Sequence, residues 1–324
     1  MGPLQGLSRK HVVPRAAIID LGTNTFHLLV IDKTPDGNWK KIKVIRKTVK
    51  LGKGGLKDGI IAPAAFERGL NVLGHFSQLI DAYSPDDVIA LATSGIRSTS
   101  NGVDFIRHVK KLTGINIRAI DGVQEASFIL DGVRQTLPEN LGRVLIMDIG
   151  GGSTEFIIAD RSKTFFKRSF PIGASRMKEL FNPSDPITRS ELSALNNHFK
   201  MVLSPLFVAL NRYHPEALVG SSGSFETFSA MISANAGRRN RLSEDGFVTI
   251  PSRKLEALHK RLLRSNSDQR RRMKGLVSMR LDMIVLASIS TSVVTDCYSF
   301  KKIYASSYAL KEGVAIRWAR KGKV

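Results

Sequence analysis

The sequence predicts an α/β protein of two similar lobes that meet at a cleft, and three observations carry that prediction. Strand-like and helix-like segments are interleaved along the chain. A strand, an Asp-x-Gly turn and two further strands open the sequence at Asp20 and recur one domain-length later at Asp148. The 324 residues, 42% hydrophobic and 24% charged, suffice for two domains with ordinary cores.

The elements follow in order. The apolar run Ala16 to Ile19 ends in Asp20-Leu-Gly-Thr-Asn-Thr, and a second run, Phe26 to Ile31, follows at once. Asp36-Gly37-Asn38 reads as a hairpin turn into a third strand, Trp39 to Val49. Residues 62–82 place Phe66, Leu70, Leu73, Phe76 and Ile80 at helical spacing behind Pro63. Val88 to Ala92 reads as a buried strand ending in Thr93-Ser-Gly-Ile-Arg97; a helix over 102–112, a strand over 116–120 and a helix over 124–133 come next. The opening pattern then returns as Arg143 to Asp148, the turn Gly150-Gly-Gly-Ser-Thr-Glu155, the run Phe156 to Ala159 and a strand over 164–170. Beyond it the chain reads mostly helical, over 188–211, 252–264, 276–294 and 308–320, with Thr188 and Glu191 spaced for a capping box. A short strand, Ala217 to Val219, ends in a third glycine turn, Gly220-Ser-Ser-Gly-Ser224.

Charge narrows the class of partner. Lys and Arg total 49 against 28 Asp and Glu, a formal net charge of +21. Such a field attracts polyanions, whether nucleic acid, an anionic membrane surface or polyphosphate. The densest cluster is Arg270-Arg-Arg-Met-Lys274, expected to lie on the surface and track an anion. The single cysteine, Cys297, excludes an intrachain disulfide, and its apolar surroundings predict a small core residue. No apolar run reaches about 18 residues, so no membrane span is expected. The basic N-terminus lacks the apolar run of a secretory signal, and Gly6 stands where a myristoylation motif wants Ser or Thr, so the expected compartment is the cytoplasm.

Several chemistries are absent from the sequence. No glycine-rich loop ends in Lys-Ser/Thr as a P-loop does, the seven His and one Cys have no zinc-ligand spacing, and there is no G-x-S-x-G elbow. Direct attack by water on a phosphoryl group remains the simplest reading, needing a carboxylate base, a cation and positive groups around phosphates. The turn Asp148 to Glu155 has the ingredients. Gly150, Gly151 and Gly152 let backbone N–H groups approach an anion, Ser153 and Thr154 add hydroxyls, and Asp148 and Glu155 can hold a hydrated cation. The sister turn offers Asp20, Gly22, Thr23, Asn24 and Thr25, and His27 behind it reads as a partly buried structural residue. Thr93, Ser94 and Arg97 add hydroxyls and a guanidinium, and Gly223 and Ser224 belong to a third wall. Glu125 is a candidate base, although on sequence alone an ordinary exposed helix Glu is the favoured reading.

Together these segments resemble the exopolyphosphatase and guanosine pentaphosphate phosphohydrolase family (Ppx/GppA). The matching stretches are Ala17 to Val30, Ala92 to Arg97, Gly122-Val-Gln-Glu-Ala126, Met147 to Glu155, Gly220 to Ser224 and Leu310-Lys-Glu-Gly-Val314, in family order over nearly the whole chain. The resemblance implies the two-lobed actin-like ATPase (ribonuclease H-like) fold with a duplicated core. It implies one lobe over residues 1–128, with a helix at about 308–322 packing back on it, and a second over 129–307 with helical insertions. It also implies removal of a terminal phosphate from inorganic polyphosphate or guanosine pentaphosphate with magnesium, manganese being an alternative.

The family's base is the second acidic residue of a Gly-x-Glu-Glu-Ala motif, which falls on Glu125 here. Its first Glu is replaced by Gln124, removing a charge beside the base, and Thr23 and Thr25 stand where Ser is usual. The resemblance is to the short form of the family, without appended domains, and is compatible with a homodimer. Nucleic acid is not the expected substrate. A non-catalytic polyphosphate or alarmone sensor is a rival resting on Gln124 alone, and an actin-like sugar or acetate kinase has no support in the residues.

Overall fold

A computed structural model describes residues 13–240, 242–322 and 324. The N-terminal stretch read above as a non-signal lies, for residues 1–12, outside the described residues. Strands β1 (Arg15–Leu21), β2 (Thr25–Lys33), β3 (Trp39–Thr48), β4 (Asp87–Ala92) and β5 (Ile117–Ala119) form one sheet in the order β3-β2-β1-β4-β5. Strands β6 (Val144–Ile149), β7 (Thr154–Ala159), β8 (Thr164–Phe170), β9 (Ala217–Ser221), β10 (Phe247–Ile250) and β11 (Lys302–Ser306) form the second, in the order β8-β7-β6-β9-β11-β10. The first five positions repeat the first sheet: an antiparallel three-strand meander with parallel strands added beside its first member.

The duplication extends to single residues. In β1–β2 Asp20 pairs with His27, and in β6–β7 Asp148 pairs with Glu155. Each turn closes with the same hydrogen bond, Gly22 N–H to Thr25 O at 3.2 Å and Gly150 N–H to Ser153 O at 3.0 Å. His27 is therefore the structural counterpart of Glu155.

Both central strand pairs read as nearly continuous apolar runs because both faces of each sheet are covered. Helices Pro63–Tyr83 and Gly102–Thr113 cover the outer face of the first sheet, and a larger helical set covers the outer face of the second. Helices Gly122–Arg134 and Leu310–Lys321 pack on each other between the two sheets. The indole N–H of Trp318 donates to Asp87 Oδ2 at 2.8 Å, fastening the C-terminal helix to β4. Losing one such charge-assisted bond in Trp318→Phe is expected to destabilise the fold by about 1.5 kcal/mol, read as a lower denaturant midpoint at unchanged slope.

Some elements differ from expectation. The 188–211 segment is two helices, Arg189–Val202 and Ser204–Tyr213, because Pro205 lacks the N–H to continue the first and suits the opening turn of the second. The 276–294 segment starts as a 3₁₀ turn, Ser278–Arg280, and becomes helical only at Ile284. Gly220 to Ser224 is no free turn: β9 ends at Ser221 and helix Ser222–Asn235 begins at once. Cys297 is exposed, a correction to its core assignment, because it ends helix Ile284–Cys297 beyond the buried stripe. Arg270 is also corrected. It is buried, paired with Asp185 at 2.8 Å and bonded to Ser265 O, so it holds a loop in place, whereas Arg271, Arg272 and Lys274 lie exposed as expected.

Candidate active site

The two Asp-x-Gly turns sit at the C-terminal ends of β1 and β6 and face each other at a narrow cleft of about 90 Å³. Their close approach depends on glycine. A Cβ on Gly151 would lie 2.9 Å from Thr23 Cβ, and one on Gly152 would lie 2.4 Å from Ser94 Oγ. The cleft is lined by Asp20, Gly22, Thr23, Asn24, Thr25, Thr93, Ser94, Glu125, Asp148, Gly150, Gly151, Ser153 and Glu155. Gly152, Thr154, Gly223, Ser224 and Arg97, also expected at the site, lie behind its lining.

The hydroxyls divide into two kinds. Thr23 Oγ1 and Ser94 Oγ share a 3.3 Å bond, Thr93 Oγ1 donates to Leu21 O at 3.3 Å, Ser153 Oγ donates to Glu155 Oε1 at 2.7 Å and Thr154 Oγ1 reaches Ile172 O at 3.5 Å. These hold the turns together. Asn24 Nδ2, Thr25 Oγ1 and His27 Nε2 are buried with no protein partner. Buried polar atoms without partners are uncommon, and these three, gathered on the turn and the start of β2 and lining one cleft, are available to a ligand.

Glu125 lies in the first turn of helix Gly122–Arg134 and is buried at 7% exposure. Its Oε2 accepts from Arg97 Nη1 at 3.0 Å, and the same guanidinium nitrogen donates to Ile120 O at 2.6 Å. Arg97 thus orients the carboxylate from behind. Burial first, and then the charge of Glu155, push the Glu125 carboxyl well above its ordinary range, with Arg97 opposing. Gln124 points outward as the N3 residue of a capping box. The Asp121 carboxylate accepts from the Val123 and Gln124 amides, and Gln124 Oε1 accepts from the Asp121 amide at 3.2 Å. Gln serves that position as well as Glu, so its difference from the family motif does not reach the cleft.

Asp148 Oδ2 accepts from Ser221 Oγ at 2.9 Å, and Glu155 Oε1 accepts from Ser153 and Ser169, each at 2.7 Å. Burial raises both carboxyls, Asp148 to about 6 and Glu155 to about 7. Asp20 Oδ2 lies 3.2 Å from His27 Nδ1, and burial lowers the His27 pKa, favouring a neutral ring. The donors are hard carboxylate oxygens, yet no group of three or more His, Cys, Asp or Glu among the described residues has metal-cage geometry. Oxygen donors of this kind are the type that magnesium takes, together with waters and substrate phosphates.

Sequence reading missed Arg280, Ser169 and Lys311, and named Ser221 and Ser222 only as members of the third glycine turn. Arg280 reaches the cleft from the 3₁₀ turn and lies against Gly223, where a Cβ would stand 1.6 Å from its guanidinium. Lys311, buried at the start of the C-terminal helix, pairs with Glu312 at 2.9 Å. Its motif, Leu310 to Val314, carries no role legible from sequence.

The duplicated sheets that meet at this cleft have the topology of the two-lobed actin-like fold. The chain belongs to the Ppx/GppA phosphatase family, whose pattern it matches over residues 30–322. It is similar to a crystal structure of an exopolyphosphatase from Cytophaga hutchinsonii, at 35% identity and TM-score 0.92, covering 96% of this chain and 99% of that one. It is 30% identical over 302 residues to a provisionally named exopolyphosphatase of Haemophilus influenzae, covering 93% and 90% of the two chains. A crystal structure of the Aquifex aeolicus family member, 23% identical at TM-score 0.78 over 96% and 99%, shows the same fold. No helix among the described residues is long and apolar enough to cross a membrane.

Proposed function

We propose that this chain is an exopolyphosphatase in which Glu125 activates water against the terminal phosphoryl group of inorganic polyphosphate. The observation that carries the reading is the opposition, across one cleft, of a buried carboxylate held by Arg97 to the unpartnered donors Asn24 Nδ2 and Thr25 Oγ1. The similar proteins named exopolyphosphatases support the choice of substrate.

In this reading Asn24, Thr25, the backbone N–H groups of Gly151 and its neighbours, and Arg280 bind the terminal phosphate oxygens and orient phosphorus. Glu125 accepts a proton from water as the water oxygen bonds to phosphorus. The anhydride P–O bond to the next phosphate breaks, releasing orthophosphate and a chain one unit shorter. Asp148, with Asp20 and Glu155, would hold magnesium, which would supply charge neutralisation at the phosphates. Phosphate release is expected to fall to background with a chelator and return on adding magnesium; a full rate under chelation would remove the metal from the reaction.

One observation favours a second substrate, guanosine pentaphosphate. Trp39 and Tyr308, with ring centroids 6.0 Å apart, line a broad cavity beside the cleft together with Arg46 and Lys311. Aromatic faces of this kind stack nucleobases. Parallel assays of phosphate release from polyphosphate and from the nucleotide decide between them: release from the nucleotide alone would displace the polyphosphate reading.

A further inference from the structure

The strongest one-signed charge in a described cavity lies away from the catalytic cleft. A pocket at the far ends of helices Gly122–Arg134 and Leu310–Lys321 is lined by Arg134, Arg161, Arg317, Arg320 and Lys321, with Asp131 as its one acidic lining residue. The groove leaving the two Asp-x-Gly turns is nearly balanced in contrast: Lys50, Lys53, Lys57 and Lys178 face Asp58, Glu179 and Asp282. Lys50 and Lys178 both pair with Asp282, at 2.7 and 3.4 Å.

The pocket's cations are held in place. Arg134 Nε and Nη2 donate to the carbonyls of Asp160 and Lys163 at 3.1 and 3.0 Å, and Arg161 Nη1 donates to Leu137 O at 2.7 Å. Arg317 pairs with Asp131 and stacks 4.4 Å over the Phe128 ring. Arg320 and Lys321 are exposed. Two helix C-termini contribute roughly one negative unit between them, and Asp160 lies near Arg134 with its carboxylate taken up by its own loop. Together with Asp131 these do not offset five cations, so helix-end complementation does not account for the cluster.

Both helices begin at the catalytic cleft, one with Glu125 and the other with Leu310. Arg134 lies about 14 Å along the first helix from Glu125, and Arg320 about 15 Å along the second from Leu310. Lys311 and Glu312 line the broad cavity next to the cleft, and Gln135 and Ile316 line both that cavity and the basic pocket.

We propose that this basic pocket is a second anion site that takes inorganic oligophosphate, as an exosite for the distal part of a polyphosphate chain whose terminal unit lies at Glu125. The exosite role rests on the proposed exopolyphosphatase reading; the anion site does not. Rigid guanidinium forks suit phosphate oxygens, and a chain held at two places gains affinity that a short chain cannot. The pocket therefore sets a preference for chain length without touching the reacting atoms.

The test is the double charge reversal R320E/K321E, two exposed positions whose change should leave the melting temperature intact. For long-chain polyphosphate KM is expected to rise at least tenfold, while kcat, and KM for tripolyphosphate, stay within twofold of the parent. Calorimetry with tripolyphosphate should show two sites on the parent and one on the variant. Unchanged KM for long chains would overturn the exosite, as would an equal rise for both substrates, which would mark a site for a separate phosphate effector. Unchanged stoichiometry would overturn the anion site itself. If the parent releases no phosphate from any polyphosphate, the catalytic reading fails, and the calorimetric arm still decides whether the pocket binds.

Discussion

Glu125→Gln is expected to lower kcat for phosphate release by about 10³-fold, the middle of the range for losing a general base, with KM nearly unchanged. The substitution keeps shape and volume, and the amide oxygen can still accept from Arg97, which retains its bond to Ile120 O. What disappears is the proton acceptor. Stability should move in the opposite direction from rate, or stay level. The native carboxylate is buried, and Glu155 and Asp20 disfavour its charge, so the fold carries it at a cost that a neutral side chain relieves. Single-turnover phosphate release and a thermal melt on the same preparation check both halves. A variant that keeps the parental rate would remove Glu125 from the chemistry, and one that also melts far lower would recast it as a structural partner of Arg97.

Glu125 also shows where sequence reading was strong and where it stopped. The duplicated strand–turn–strand pattern was legible because both central strands are buried on both faces and the turns need glycine for contact, which leaves an apolar run followed by Asp-x-Gly twice. The fold followed from that repeat. Glu125 itself read as an exposed helix residue without the family resemblance. Yet it lies four residues before Ile129 on the stripe that buries Ala126, Ile129 and Val133, and a charged residue on a buried stripe is a signal that periodicity alone could have raised. Hydroxyl roles were not legible. Thr23, Thr93 and Ser153 spend theirs inside the protein, while Thr25 keeps its hydroxyl available beside the amide group of Asn24, and residue type does not distinguish these cases. Arg270 illustrates the reverse error: a run of cations read as surface contains one side chain buried by its pairing with Asp185, a partner far away in sequence.

Arg280 was the least legible site residue, and it supports the second large expected effect. It reaches the cleft only through tertiary structure, from a short turn ahead of helix Ile284–Cys297, and no local pattern marks it. Among the described residues no hydrogen bond or ion pair engages its guanidinium. Burial lowers its pKa, and Arg46 adds to that, with Glu226 and Asp148 opposing. A cation held in the cleft without a partner is placed to meet charge that develops on a transferring phosphoryl group. Arg280→Ala is expected to reduce kcat/KM by about 10²–10³-fold, as for loss of one preorganised transition-state donor. Gly223→Ala should produce nearly the same defect. The added methyl would stand 1.6 Å from Nη2 of Arg280 and 2.3 Å from its Cζ, so the guanidinium must leave its position while the backbone can remain. The sequence had placed Gly223 on the phosphate directly, and the two roles separate in a double-mutant cycle. If Gly223 acts by making room for Arg280, Gly223→Ala costs almost nothing further once Arg280 is Ala. If instead the two losses multiply, the glycine contacts phosphate through its own backbone, and the space it leaves for the arginine is incidental to catalysis.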